Sequence, residues 1–457
     1  MRAAVRFVTS ISFAALSACS AVNHERSRLE ATPPPDIQAL SSALDGVLAD
    51  PARSQAPEVL SAVSLADIQR MSQTRSPFLA AAYYRWKAAV ALIDTALEMP
   101  EGMVEYREFM QAERANIRLM DERRSVMLSQ MFPNPGKVVA RQDMLAAEAS
   151  AMAEEFSAVR RELRRRVTAA YVDIQALDAR AEVMRQLVAL ASGLEALMEP
   201  MVETGQATQA SLLRIQVERE EMQSDLASLS LRRPALVKVL EAASGVRLDP
   251  AVTVDALPEV RRAVVPGRAE QLVALDTHPM LQIAHAQARV ADAKLIESRW
   301  MWVPDFFVAA EWMQMNVPGD MPFESAVAFR VGITIPWSFG ANAARSNAAE
   351  AERTAALLVV AQKRLDLHAE LDAMLFELAD AERMLRLLGI SILPKARQAL
   401  ELIQGDFSAG RAGLTDVISA WQAWLGGELS LIRARAEALK SRAAVESLTG
   451  LTLEDEP

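Results

Sequence analysis

The segment "TGQATQASLL" (Thr204–Leu213) returns as "AGRAGLTDVI" (Ala409–Ile418), placing Gly205 and Gly410 205 residues apart. Outward from this pair, Gly245 and Gly450 keep the same offset, Gly136 and Gly340 stand 204 apart, and Pro77 and Pro279 stand 202 apart. So small a drift along a whole unit marks a duplication. Ahead of each central glycine runs a pattern with few breakers, from about Lys137 to Glu203 and from about Asn342 to Ala409. Within it Leu163, Val167, Ala170, Ile174 and Leu177 keep helical spacing. At 1.5 Å per residue, roughly 65 residues make a helix on the order of 100 Å, which must bury its apolar stripe against other long helices. Glycine tolerates the left-handed conformation that ends a helix, so the chain is expected to reverse at Gly205 and Gly410. Return helices of about 40 residues then run to Gly245 and Gly450. Each unit opens with a helix starting at Pro77 or Pro279, the second with Thr277 as its expected N-cap.

Between that opening helix and the long one lies a segment of strand period. In "SAVAFRVGITIPW" (Ser325–Trp337), Val327, Phe329, Val331, Ile333, Ile335 and Trp337 face one way, and Ala326, Ala328, Arg330, Gly332 and Thr334 the other. "DFFVAAEWMQM" (Asp305–Met315) sets Phe306, Val308, Ala310 and Trp312 against Phe307, Ala309, Glu311 and Met313, and "NVPGDMPFE" supplies the turn between the two runs. One apolar face, ten-residue length and four nearby tryptophans (Trp300, Trp302, Trp312, Trp337) suit a membrane barrel strand whose apolar face meets lipid. The corresponding segments Gly102–Gln111 and Arg123–Phe132 are crowded by Glu105, Arg107, Glu108, Arg123 and Arg124, which strains the same reading. A lipid-facing charge at mid-depth costs about 2–4 kcal/mol.

The N-terminus carries the sole cysteine. Met1–Arg6 is a charged start, Phe7–Ala15 an apolar run too short to span a bilayer, and Leu16-Ser17-Ala18-Cys19 resembles the bacterial lipobox. Cys19 is therefore the expected lipidation site and residues 1–18 the signal peptide. Ser20 in place of Asp resembles the lipoproteins sent to the outer membrane. Losing Arg2 and Arg6 with the signal moves the net charge from −10 to −12, which argues against a nucleic-acid partner. Residues 19–60, with Pro33-Pro34-Pro35, read as a tether. The first repeat then spans 61–250, with its strand pair at 102–133 and tip near 205. A linker at 251–275 leads to the second repeat at 276–451, with its strand pair at 305–337 and tip near 410, and a tail at 452–457 closes the chain.

Reactive groups are sparse, so no enzyme, cofactor or resident metal is expected. His278 and His285 could share a helix face but lack a carboxylate partner. Met313, Met315 and Met321 cluster near the second hairpin, where thioethers would suit copper(I) or silver(I), although methionine is also a common apolar filler. "VRRELRRRV" (Val159–Val167) reads as a solvated or charge-paired helix face.

Taken together, these features resemble the TolC-type outer membrane efflux channels over Ser64–Leu451. The motifs that carry the resemblance are "VETGQAT" (Val202–Thr208), "FSAGRAG" (Phe407–Gly413) and "SQMFPNPGK" (Ser129–Lys137), the last similar to the heavy-metal efflux branch. The resemblance implies a mainly α chain with a membrane β-barrel. Each protomer would give four strands to a trimeric twelve-stranded barrel, and its duplicated helical hairpins would build a periplasmic tunnel. It implies a passive conduit in the outer membrane, serving a tripartite efflux or secretion system as a homotrimer with a periplasmic adaptor (membrane fusion) protein and an inner-membrane pump, for instance of the resistance-nodulation-division type. Adaptor docking would fall to Thr204, Gly205, Gln206, Ala207, Thr208, Ala409, Gly410, Arg411, Ala412 and Gly413. Glu382, Arg383 and Arg386 are candidates for the tip gate. The rival reading is a non-conducting coiled-coil lipoprotein tethered to the outer membrane.

Overall fold

A computed structural model describes residues 59–108, 122–205, 207–315 and 324–456. Cys19, the signal, nearly all of the tether, His24, Gln206 and Met321 lie outside the described residues.

In chain order the elements of the first repeat are β1 (Leu60–Val63), α1 (Leu65–Arg75), α2 (Pro77–Leu92), a 3₁₀ turn (Ile93–Leu97), β2 (Met103–Glu108), β3 (Glu122–Phe132), α3 (Pro135–Glu203) and α4 (Gln209–Ser244). β4 (Leu248–Val254) and β5 (Ala263–Val264) follow, and then the series recurs with α5 (Arg268–Asp276), α6 (Pro279–Trp300), β6 (Phe306–Met315), β7 (Glu324–Ile333) and α7 (Phe339–Arg386). A π-helical stretch at Leu387–Ile392 leads into α8 (Leu393–Ser408), α9 (Leu414–Thr449) and β8 (Glu454–Asp455).

These elements form two compact units. One comprises Tyr84–Glu154 and Gln282–Gln362; the other comprises residues 59–83, 155–281 and 363–456. The first is organised by an antiparallel sheet in the order β2-β3-β6-β7, so the two hairpins of the two repeats meet at the β3–β6 seam. The second unit holds the helical turns near residues 205 and 410, a parallel pairing of β1 with β4 and an antiparallel pairing of β5 with β8.

The backbone glycines report the duplication directly. Among the described residues, positive φ occurs only at Gly205 (73°), Gly245 (72°), Gly410 (72°) and Gly450 (73°), which are the two pairs at offset 205. Gly245 and Gly450 are the left-handed C-caps of α4 and α9, and each N–H returns to a carbonyl four residues back at 2.8 Å.

Two expectations need correction. The second long helix is not continuous like α3: it opens into the π stretch at Leu387–Ile392, where Leu393 N–H bonds to Leu388 O. Pro394 has no N–H to give, and its ring would clash with the carbonyl four residues back, so a wider turn relieves both. Thr277 is not the N-cap of α6. It closes α5, its Oγ1 donating to Ala274 O, and the cap passes to His278, whose Nδ1 accepts from Met280 N–H at 3.2 Å.

Candidate functional site: a two-faced sheet, its junction and two helical turns

The sheet sorts its side chains by face. In register, Val104 stands opposite Leu128, Leu128 opposite Ala310, and Ala310 opposite Phe329. The next such row is Tyr106, Val126, Trp312 and Val327. With Val308, Val331 and Ile333 these make an apolar face open to its surroundings, Phe329 being 79% exposed. Ile335 and Trp337, just beyond β7, are exposed as well.

The other face is polar. Its rows are Glu105, Met127, Glu311, Ala328 and Arg107, Ser125, Met313, Ala326. Glu311, 1% exposed, is ion-paired with Arg330, and Arg107 holds Glu105 at 2.9 Å. The charges that crowd the first strand pair are thus placed rather than scattered. Glu105 and Arg107 lie on the polar face, while Glu108 and Arg124, whose row shares the parity of the apolar face, neutralise each other at 3.1 Å at the end of the β2–β3 ladder, away from the helices; the side chain of Arg123 lies outside those described. Alternation within one strand could not reveal this; the register between strands does.

At the opposite end of the sheet, the turn "PNPGK" is locked to the entry of β6. Asp305 Oδ1 accepts from Asn134 N–H at 2.8 Å, and Lys137 Nζ reaches Oδ1 and Oδ2 at 2.8 and 2.7 Å. The backbone of Asp305 also exchanges hydrogen bonds with Thr334, donating to Thr334 Oγ1 and accepting from Thr334 N–H, both at 2.9 Å. Gly136 lies flat against Trp300: a Cβ placed there would fall 2.1 Å from the indole ring. Asp305, Thr334 and Trp300 were not singled out as a junction in the sequence. The nearest signal in the sequence is the dipeptide Pro304-Asp305, which follows the opening helix of the second repeat.

The two helical turns are copies down to their hydrogen bonds. Gly205 N–H bonds to Val202 O at 3.1 Å, and Gly410 N–H to Phe407 O at 3.0 Å. Ala207 N–H bonds to Met201 O at 3.0 Å, and Ala412 N–H to Asp406 O at 3.3 Å. They differ in how the next helix starts. Thr208 Oγ1 accepts from Ser211 N–H at 3.2 Å, whereas Gly413 has no side chain and Asp416 Oδ2 reaches back to Gly413 N–H at 3.0 Å. Arg411 is tied to Asp406 Oδ1 at 2.8 Å within its own turn. Thr204, Gly205, Thr208, Ala409, Gly410, Arg411 and Gly413 are exposed, and Ala207 and Ala412 half-buried. Beneath both turns lies one apolar cluster of Met198, Leu212, Ile215, Leu414 and Ile418.

The remaining candidates resolve as structure. Glu382 is buried and accepts from Ala263 N–H at 2.8 Å, which anchors β5. Arg383 pairs with Asp380 at 2.7 Å on its own helix. His278 is a buried cap: burial first, then the positive charges of Arg161 and Lys363, pushes its imidazole down to about 4. Among the described residues no group of His, Cys, Asp and Glu side chains gathers around a common metal position. The basic run is charge-paired along its helix. Glu162 meets Arg165 and Arg166, each at 2.7 Å; burial pushes its carboxyl up, but these two partners outweigh burial and leave it below the usual range. Arg160, Arg161, Arg164 and Arg165 line a polar cleft of about 700 Å³ with Arg442, Asp255 and Glu446. No described helix is long and apolar enough to cross a membrane.

Comparisons with known proteins agree with this geometry. Residues 273–451 match the family model described as outer membrane efflux protein. A search of curated protein sequences returned no match. Among solved structures, the outer membrane protein VceC of Vibrio cholerae superposes with a TM-score of 0.71 at 18% identity, covering 85% of this chain and 96% of its own. The MtrE outer membrane channel of Neisseria gonorrhoeae gives 0.70 at 14% identity, covering 84% and 88%. CusC, whose structures describe transmembrane channel formation, gives 0.72 at 17% identity, covering 87% and 95%. With identities this close together, the likenesses single out no branch, the heavy-metal one included. The second repeat thus matches the outer membrane efflux protein family, and the chain as a whole shares the fold of these outer membrane channels.

Proposed function

We propose that the chain is the outer membrane channel of a tripartite efflux system. Three copies join their four-stranded sheets edge to edge into a twelve-stranded barrel, and the helical hairpins extend into the periplasm. The observation that carries this reading is the two-faced sheet. An exposed apolar face running across both hairpins is costly in water and apt for lipid. The opposite face, with its paired carboxylates and guanidiniums, suits a wet lumen. Among the described residues nothing pairs with the outer edges of β2 and β7, and such edges call for a partner. Joining β7 of one copy to β2 of the next closes the ring. Cys19 carries the lipid anchor of the mature chain. The turns at Thr204–Thr208 and Ala409–Gly413 dock the periplasmic adaptor, whose partner pump sits in the inner membrane. Their matched hydrogen bonds support a shared role, since a repeating adaptor surface can meet both in the same way.

A pair of substitutions tests the sheet assignment. Phe329→Lys puts a charge on the apolar face at mid-strand and is expected to cut assembled trimer in the outer membrane at least tenfold, in keeping with about 2–4 kcal/mol for a lipid-facing charge. Ala328→Lys, one residue away on the polar face and beside Glu311, leaves assembly near wild type. Equal loss from both would overturn the assignment.

A further inference from the structure

The polar face of the sheet carries the methionines of the strands. Met103 on β2, Met127 and Met131 on β3 and Met313 on β6 share its parity in the register. Met103 stands opposite Ser129, between Met127 and Met131, and Met313 stands opposite Ser125, two residues from Met127. Each is therefore the diagonal neighbour of the next, roughly 7–8 Å away across adjacent strands and within reach of a long side chain. The four make a continuous track from Met131, near the helices, through Met103 and Met127 to Met313, toward the far end of the strands. Arg330 Nη1 approaches Met127 Sδ at 3.8 Å.

Methionine used as filler would follow the aliphatic side chains, and here it does the opposite. The apolar face of these strands holds valine, leucine and isoleucine and no methionine. By register the polar face holds five methionines, these four and Met315 at the end of β6, and no valine, leucine or isoleucine. The carboxylates alongside the track are occupied, Glu311 by Arg330 and Glu105 by Arg107, and Glu324 stands apart at the outer end of β7. What this face offers to a cation is thioether sulfur.

We propose that this track binds a soft monovalent metal ion, copper(I) or silver(I), as cargo. Thioethers are neutral soft donors that select such ions over hard ones. A row of neutral donors, each weak alone, lets an ion exchange one sulfur for the next along the strands. That this face lines a passage rests on the channel reading; that it binds the ion does not.

The test is calorimetric titration of the full-length, detergent-purified protein with silver nitrate in chloride-free buffer. X-ray absorption at the silver edge on the same samples reports the ligand atoms. Wild type is compared with the quadruple variant Met103→Leu, Met127→Leu, Met131→Leu, Met313→Leu, and with a control carrying Met280→Leu and Met384→Leu, which lie on helices. All three preparations keep Cys19, so differences between them report the track. The expected result is sulfur-coordinated silver in wild type and control, with the tightest binding phase lost in the quadruple variant while potassium conductance persists. Equal silver binding in wild type and quadruple variant, or no sulfur coordination in wild type, would overturn the site. Loss of potassium conductance from wild type with silver binding intact would instead strike the channel reading and leave the site standing.

Discussion

Lys137 Nζ stands 2.7 Å from Asp305 Oδ2, joining the first turn of α3 to the entry of β6 across 168 residues of chain. The pair is largely shielded, with side-chain exposures of 17% and 20%. It is the point at which the first repeat's strand-to-helix turn is fastened to the second repeat's strands, and Asn134 N–H and Thr334 converge on the same aspartate.

Asp305→Ala removes the acceptor for both Asn134 N–H and Lys137, leaving a shielded ammonium without its partner. It should cost about 1–3 kcal/mol, seen as a lowered thermal midpoint in detergent. Lys137→Ala should cost less, because Asp305 keeps its bond from Asn134. The double variant should be no less stable than Asp305→Ala alone, and additive losses would show that the two residues do not act together.

Gly136 admits Trp300 only because it lacks a side chain. Gly136→Ala should displace the indole and destabilise the junction by about 1–3 kcal/mol, with a shift in tryptophan emission. Adding Trp300→Leu should recover part of the loss. Wild-type stability in Gly136→Ala alone would contradict the contact.

The four left-handed glycines should not respond alike. Around Gly205 and Gly410 an added Cβ meets nothing within 4 Å, so alanine there incurs only the backbone penalty of about 1–2 kcal/mol. At Gly245 the same atom would also fall 2.6 Å from Arg75 O. Urea or thermal midpoints should therefore rank Gly245→Ala below Gly205→Ala. The tip variants should fold yet lose crosslinking to the adaptor when the new side chain is as large as tryptophan.

His278 predicts a pH dependence. The folded chain holds the imidazole neutral down to about 4, against an ordinary value of 6.5, while the unfolded chain takes the proton first. Stability from this site is thus complete above about pH 6.5 and falls as pH drops toward 4, by about 1.4 kcal/mol per unit. Asparagine can make the same cap without titrating, so His278→Asn should flatten this part of the stability curve. An identical acid slope in wild type and variant would remove His278 as its cause.

The features legible in the sequence were those carried by local chemistry. Gly205, Gly245, Gly410 and Gly450 announce left-handed helix ends because few other residues tolerate them, and Val327 to Ile333 announces a two-faced strand by period alone, although the same period runs on through Ile335 and Trp337, where the strand has already ended. What stayed hidden depends on partners distant in sequence. The charges of β2 and β3 look disruptive in one strand, yet Glu105 pairs with Arg107 on the polar face and Glu108 with Arg124 at the end of the ladder. The anchoring bond of Glu382 is hidden in the sequence because it joins two elements 119 residues apart. Thr277 is a better N-cap by residue type than His278, yet it is already spent closing the preceding helix. The π stretch before Pro394 is written in one proline that a helical period does not register.

The central claim is that three copies of this chain form a conducting barrel. Single-channel conductance of the purified protein in planar bilayers, with its mass measured in detergent, tests this most directly. A trimeric mass and discrete, stable conductance steps are expected. A monomeric or trimeric protein that inserts without conducting, under conditions where a channel of the same fold conducts, would contradict it.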